Sequence, residues 1–190
     1  MNDTKVLIGI TGSISVLLLP NYLLEIYKHF PRLKIILTHT ASQFIPKESL
    51  HILSEGIYTH EFPLSKENMN HIELARWADV FIIIPATADI LARAAHGMAD
   101  TLLAATILAY QKKVLFVPNM NRAMWQNKAV QRNVQLLIDD GHKIIQPIIK
   151  EAFEYASRQF EINPVLPSIE SIMSILQLEI QEQQWQTISS

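Results

Sequence analysis

Val114-Leu115-Phe116-Val117 runs directly into Pro118-Asn119-Met120-Asn121-Arg122-Ala123-Met124-Trp125, and a helical pattern begins at about Lys128. The first four residues are apolar and β-rich and read as a buried strand. The eight that follow are then a strand-to-helix loop, and open α/β sheets bind ligands at such loops, off the carboxyl ends of their strands. Asn119 and Asn121 flank Met120, which sets amide donors and acceptors beside a soft apolar contact with no fixed charge. On composition alone, the simpler account is an Asn-rich turn with Met124 and Trp125 dropping into the core. The rest of the chain decides between the two.

Working outward, strands and helices alternate. Val80-Phe81-Ile82-Ile83-Ile84 is uninterrupted and β-branched, as expected of a central strand buried on both faces. It ends in Pro85-Ala86-Thr87-Ala88-Asp89, whose small side chains let a planar ligand come close. Lys5-Val6-Leu7-Ile8-Gly9-Ile10 reads as a first buried strand, followed by Thr11-Gly12-Ser13 and a helix to Phe30 with Pro20 near its start. A glycine at such a turn admits a ligand to the backbone, although the full dinucleotide fingerprint is absent and a plain tight turn explains it as well. Lys34-Ile35-Ile36-Leu37 predicts a second strand, with Thr38 after it as a helix cap or a ligand hydroxyl, and Ile57-Tyr58 a short third.

Asn70-His71-Ile72-Glu73 has the spacing of a capping box, with Asn70 at the N-cap and Glu73 three residues on. His71 then sits in the first turn, where a neutral imidazole could act as a general base or be an ordinary surface residue. After Gly97, Asp100 is placed to cap a second helix. Val130, Val134, Leu137 and Ile138 share one helix face closed by Gly141, and Lys143-Ile144-Ile145 is a last strand. Residues 61–68 read as a polar loop. Residues 153–167 break the alternation, as a disordered segment or a flap over a site. Ser168 caps a final helix, and the Gln-rich residues 181–190 are expected to fray.

The pattern predicts one α/β domain over residues 1–190, a doubly wound parallel sheet with helices on both faces. At 49% hydrophobic and 18% charged, 190 residues suffice for one core. A net charge of −2 makes no electrostatic case for nucleic acid or an anionic membrane, and no apolar run is long enough to span a bilayer. A cytoplasmic setting is the default. There is no cysteine, hence no disulfide, thiolate metal site or cysteine nucleophile.

Taken together, Gly12-Ser13-Ile14, His71-Ile72, Pro85-Ala86-Thr87-Ala88-Asp89, residues 97–103 and Pro118-Asn119-Met120-Asn121 with Met124-Trp125 resemble the homo-oligomeric flavin-containing cysteine decarboxylases. The last stretch carries that family's Pro-x-Met-Asn-x-x-Met-Trp signature complete. Among members, the chain looks most like the lantibiotic-pathway enzymes that oxidatively decarboxylate a peptide's C-terminal cysteine. Phe153-Glu154 with Leu166-Pro167-Ser168-Ile169-Glu170 is similar to the segment that closes over the peptide in those enzymes, and a helix follows from about residue 168.

The resemblance implies a flavoprotein with a Rossmann-like or flavodoxin-like sheet, binding FMN, with FAD as the alternative. Its cofactor contacts would be Gly12, Ser13, Ile14, Thr38, Pro85, Ala86, Thr87, Ala88 and Asp89. His71 would take the thiol proton as hydride passes to the flavin, and Asn121 would hold the terminal carboxylate, with Asn119, Met120 and Phe153 at the substrate. The implied partners are a precursor peptide ending in cysteine and other copies of the chain, as a trimer or a dodecamer of four trimers. One departure stands out: the family's Pro-Ala-Ser/Thr-Ala-Asn motif ends here in Asp89, which as an anion would oppose flavin reduction unless it is protonated or turned away.

Three rival readings follow from the same residues. A phosphopantothenoylcysteine decarboxylase requires a cysteine acid that this chain lacks. The intact loop and His71 argue against a flavin prenyltransferase. A non-catalytic flavoprotein paralogue is disfavoured by the retention of His71 and Asn121.

Overall fold

The computed structural model describes residues 3–59, 69–154 and 157–189. The polar loop expected at 61–68 lies outside the described residues. The chain opens with β1 (Lys5–Ile10), a 3-10 turn over Ile14–Leu18, α1 (Leu19–His29), β2 (Arg32–Leu37) and the short helices α2 (His39–Ser42) and α3 (Lys47–Leu50). Next come β3 (Gly56–Thr59), α4 (His71–Trp77), β4 (Val80–Ala86), α5 (Ala88–Ala95), α6 (Leu102–Ala109) and β5 (Val114–Pro118). The last part holds α7 (Arg122–Trp125), α8 (Lys128–Asp139), β6 (Lys143–Ile144), β7 (Ile148–Glu154), β8 (Gln159–Val165) and α9 (Ile169–Ser189).

Strands β1 to β6 form one parallel sheet in the order β3-β2-β1-β4-β5-β6, so the doubly wound expectation holds. The order reverses between β1 and β4, which makes their carboxyl ends the switch point of the sheet. Each central strand is apolar throughout because both faces are covered. Val6, Ile8, Ile35, Val80 and Ile82 pack on one side with Leu23 of α1 and Leu176 of α9. Leu7, Ile36, Phe81 and Ile83 pack on the other with Leu74, Leu91, Leu103 and Leu137 of α4, α5, α6 and α8. Full burial of each such side chain contributes about 1.5–3 kcal/mol, so the sheet is the stable frame on which the loops rest.

Several local expectations change. The first helix opens as a 3-10 turn, with Pro20 in the first turn of α1, where a missing N–H costs nothing. The cap of α6 is Thr101, whose hydroxyl accepts the Ala104 N–H, and not Asp100. In place of a disordered segment, β7 and β8 pair as an antiparallel hairpin that begins before residue 153, with Ile148 opposite Val165 and Glu154 opposite Gln159. The Gln-rich end continues α9 to Ser189 instead of fraying. Its anchor is Glu179, buried beneath the sheet, where Lys113 Nζ lies at 3.3 Å and Lys143 Nζ at 3.8 Å.

Beside that anchor, the Val114 N–H donates to His142 Nδ1 at 3.2 Å, and the ring stands edge-on to Phe116. Burial holds the His142 pKa below its ordinary 6.5, against a weaker upward pull from Asp140. The unfolded chain therefore takes up this proton first. The contribution is complete above about pH 6.5 and is lost as pH falls through the lower folded value. Acidification from about pH 7 to 5 should lower Tm more steeply in the wild type than in His142→Gln, whose amide oxygen can accept the same N–H without titrating. Parallel Tm curves would remove His142 from the acid sensitivity.

Candidate active site

Among the described residues, five of the seven buried polar ones, Thr11, Ser13, Ser15, Asn119 and Asn163, lie at or beside the carboxyl ends of the sheet. They are wired together, as buried polar groups must be. Thr11 Oγ donates to the Pro85 carbonyl at 2.7 Å and accepts the Thr87 N–H at 3.0 Å, which joins the ends of β1 and β4. Ser13 Oγ donates to Asn119 Oδ1 at 2.5 Å, and Asn119 Nδ2 donates to the Pro164 carbonyl in β8 at 3.3 Å. The Asn119 N–H reaches the Ala86 carbonyl at 3.0 Å. Asn119 was expected at the substrate; its side-chain amide is engaged at both ends and ties the loops together.

Over this wiring opens a cleft of about 480 Å³, lined by Thr11, Gly12, Thr38, His39, Thr40, Thr87, Ala88, Asp89, Arg93, Thr101 and Met124, with Ile36, Leu37, Ile90 and Leu103 as its apolar wall. Of the predicted cofactor contacts, Gly12, Thr38, Thr87, Ala88 and Asp89 line it. Ser13, Pro85 and Ala86 support it through the hydrogen bonds above, and Ile14 is exposed nearby in the chain. Gly12 must be glycine for a steric reason: an added Cβ would lie 2.3 Å from Thr40 Cγ2. The turn after β1 thus presses against α2 and leaves its backbone bare toward the cleft.

The residues fit a flavin nucleotide. Threonine hydroxyls, bare backbone at Gly12 and the N-terminal amides of α5 suit a phosphate and a sugar chain, and the apolar wall suits a flat ring. Among the described residues, no group of His, Asp and Glu could hold a metal ion, and no helix is long and apolar enough to cross a membrane.

Asp89 lies at the solvent-facing rim of the cleft. Its side chain is 71% exposed, and its carboxylate accepts from Arg93 Nε at 2.8 Å. Arg93 also pairs with Asp100, which holds the Asp100 carboxyl below its usual value. Sequence reasoning missed Arg93, His39 and Thr101 on the cleft wall, because only the folded chain brings them there.

The candidate catalytic residues stand apart from that wall. His71 is the first residue of α4, behind the predicted capping box: Asn70 Oδ1 accepts from the Ile72 and Glu73 N–H groups, and Glu73 accepts the Asn70 N–H. Asn121 caps α7, its Oδ1 accepting the Met124 N–H at 2.9 Å, which leaves its amide hydrogens as donors at an exposed position. Met120 is partly buried and packs against the core on the sheet face covered by α4, α5, α6 and α8. Phe153 packs edge-on against Phe160 in the hairpin, away from the cleft lining.

A nucleotide-sized cleft at the switch point of a doubly wound sheet defines the chain as a nucleotide-binding α/β protein. The flavoprotein family profile matches residues 1–177, and the chain belongs to this family of flavin-dependent cysteine decarboxylases. Mersacidin decarboxylase from Bacillus sp. is 40% identical over 157 residues, covering 83% of this chain and 80% of that protein. The solved structure of MrsD, also from Bacillus sp., is 35% identical and superposes with a TM-score of 0.82 over 94% of this chain and 97% of its own. The peptidyl-cysteine decarboxylase EpiD, in a variant complexed with substrate peptide DSYTC, is 28% identical with a TM-score of 0.82 over 90% of this chain and 97% of its own. The FMN-dependent cysteine decarboxylase SpaF is 29% identical with a TM-score of 0.80, covering 96% and 98%.

The Arg93 pairs set what Asp89 should do. One guanidinium faces two carboxylates, so the cluster keeps a net negative charge beside the cleft. Asp89→Asn removes that net charge and should raise the flavin midpoint potential. Arg93→Met, which leaves Asp89 and Asp100 uncompensated, should lower it, because added negative charge disfavours the reduced flavin. An unchanged potential in Asp89→Asn would mean that the exposed carboxylate is screened from the flavin.

Proposed function

We propose that this chain oxidatively decarboxylates the C-terminal cysteine of a precursor peptide to an aminoenethiol, as in lantibiotic maturation, with FMN as its flavin. The observation that carries the reading is the arrangement at Asn121, whose oxygen is held by the N–H of the cleft-lining Met124, which leaves its amide hydrogens as donors at an exposed position. A neutral amide suits a carboxylate that must leave as carbon dioxide, since a salt bridge would stabilise the ground state and not the transition state. The likeness to EpiD in complex with a cysteine-ended peptide supports the substrate class, and the likeness to SpaF supports FMN over FAD.

When bound, the flavin supplies a two-electron acceptor. The chain supplies the rest. His71 removes the thiol proton, and Asn121 fixes the carboxylate through hydrogen bonds. Once the cysteine side chain is oxidised to the thiocarbonyl level, that group lies β to the carboxylate and receives the electron pair as carbon dioxide leaves. With no cysteine in the sequence, no protein thiol can return hydrogen to the product, which distinguishes this reading from phosphopantothenoylcysteine decarboxylation.

The site is completed between copies of the chain, as a trimer or a dodecamer of four trimers. His71 and Phe153 lie outside the cleft lining, and α1 with the preceding turn carries exposed Leu17, Leu18, Leu24 and Tyr27, an apolar stripe suited to a second copy. Each copy acts as a single flavoprotein domain, with the hairpin as the segment that meets the peptide.

Mass spectrometry tests the reaction. A cysteine-ended peptide should lose carbon dioxide and two hydrogens, and a C-terminal amide should be inert. Loss of carbon dioxide alone would favour the phosphopantothenoylcysteine-type reaction. His71→Asn should keep the flavin and slow turnover by about 10²–10⁴-fold. Near-normal turnover would reassign the base.

A further inference from the structure

Asn163 has a polar side chain, is 7% exposed, and lies in the middle of a hairpin strand where no catalytic role accounts for it. Its Oδ1 accepts the Arg122 N–H at 3.0 Å. Arg122 is the first residue of α7, directly after Asn121, and its amide is one that a helix start leaves without an internal partner. The Met124 N–H is taken by Asn121 itself. The first turn of α7 is thus held by two asparagines, one from its own cap and one from β8.

One residue further along β8, the Pro164 carbonyl accepts from Asn119. Adjacent positions of the strand therefore grip the loop on both sides of Asn121. Lys150 stands opposite Asn163 in the hairpin, and Ile149 opposite Pro164, so the grip lies toward the base of the hairpin and not at its tip.

We propose that Asn163 is a positioning residue for the carboxylate of the peptide: by accepting the Arg122 N–H it fixes the cap geometry of Asn121 and so aims that residue's amide hydrogens. This rests on the reading of Asn121 as the carboxylate contact. Asn163 does not touch the peptide carboxylate itself. Its effect is confined to ligands that carry one, and a purely structural role would weaken acid and amide peptides alike.

The backbone offers a second, independent way to remove the same bond. Asn121 has φ −67° and ψ 163°, the extended conformation that a following proline requires, and proline is well tolerated as the first residue of a helix. Arg122→Pro therefore deletes the N–H without disturbing the helix, and Arg122→Ala controls for loss of the side chain.

The experiment measures binding by calorimetry to the flavin-loaded oligomer. The probes are two peptides of one sequence, with serine in place of the terminal cysteine to prevent turnover, one ending in a free carboxylate and one in an amide. The wild type should prefer the acid. Asn163→Leu and Arg122→Pro should each weaken acid binding about tenfold, leave amide binding unchanged, and raise KM more than they lower kcat for the cysteine-ended peptide. The double variant should be no worse than either single one. If the wild type shows no preference for the acid, the carboxylate role of Asn121 falls. If the wild type prefers the acid and Arg122→Pro keeps that preference while Arg122→Ala does too, the role assigned to Asn163 is overturned, whether or not Asn163→Leu folds.

Discussion

The parallel pairing of β1 with β4, Val6 opposite Val80 through Gly9 opposite Ile83, is the constraint on which everything else depends. Two parallel neighbours cannot be joined by a tight turn, so each strand hands its chain to a crossover, and here the crossovers leave in opposite directions. The turn after β1 and the turn after β4 are therefore pushed apart above a shared edge. Thr11 bridges that gap from below with one hydroxyl that both donates and accepts. The cleft is the space the topology leaves once both sheet faces are covered.

Much of this was legible because the relevant physics is local. β4 and β5 announce themselves as runs of branched apolar residues with no polar interruption, which only a strand covered on both faces needs. The box around Asn70 and Glu73 is a pattern of four adjacent residues, and it formed as read. The loop from Pro118 to Trp125 was placed by the strand before it and the helix after it.

What was not legible depends on partners far away in sequence. The hairpin strands carry Lys150, Glu151, Glu154, Gln159 and Glu161 in their exposed stretches and Pro164 inside a strand, so their alternation is weak and a proline argued against a strand. As an isolated pair outside the main sheet, the hairpin tolerates that proline. Asp100 looked like a cap because it precedes a helix, but Arg93 claims its carboxylate and Thr101 takes the capping role. The Gln-rich tail looked soluble and loose, yet glutamine and glutamate are good helix formers, and Lys113 holds both Glu179 and Glu182.

The hairpin also has a narrow attachment. Its β7 and β8 are seven residues each, roughly 20 Å of strand, and among the described residues their hydrogen bonds to the rest of the chain run through Asn163 and Pro164. Two adjacent residues thus fasten two whole strands. A substitution at either of them bears on how the entire hairpin is joined to the sheet, whereas one at Phe153 or Phe160 bears on the pairing of the two strands with each other.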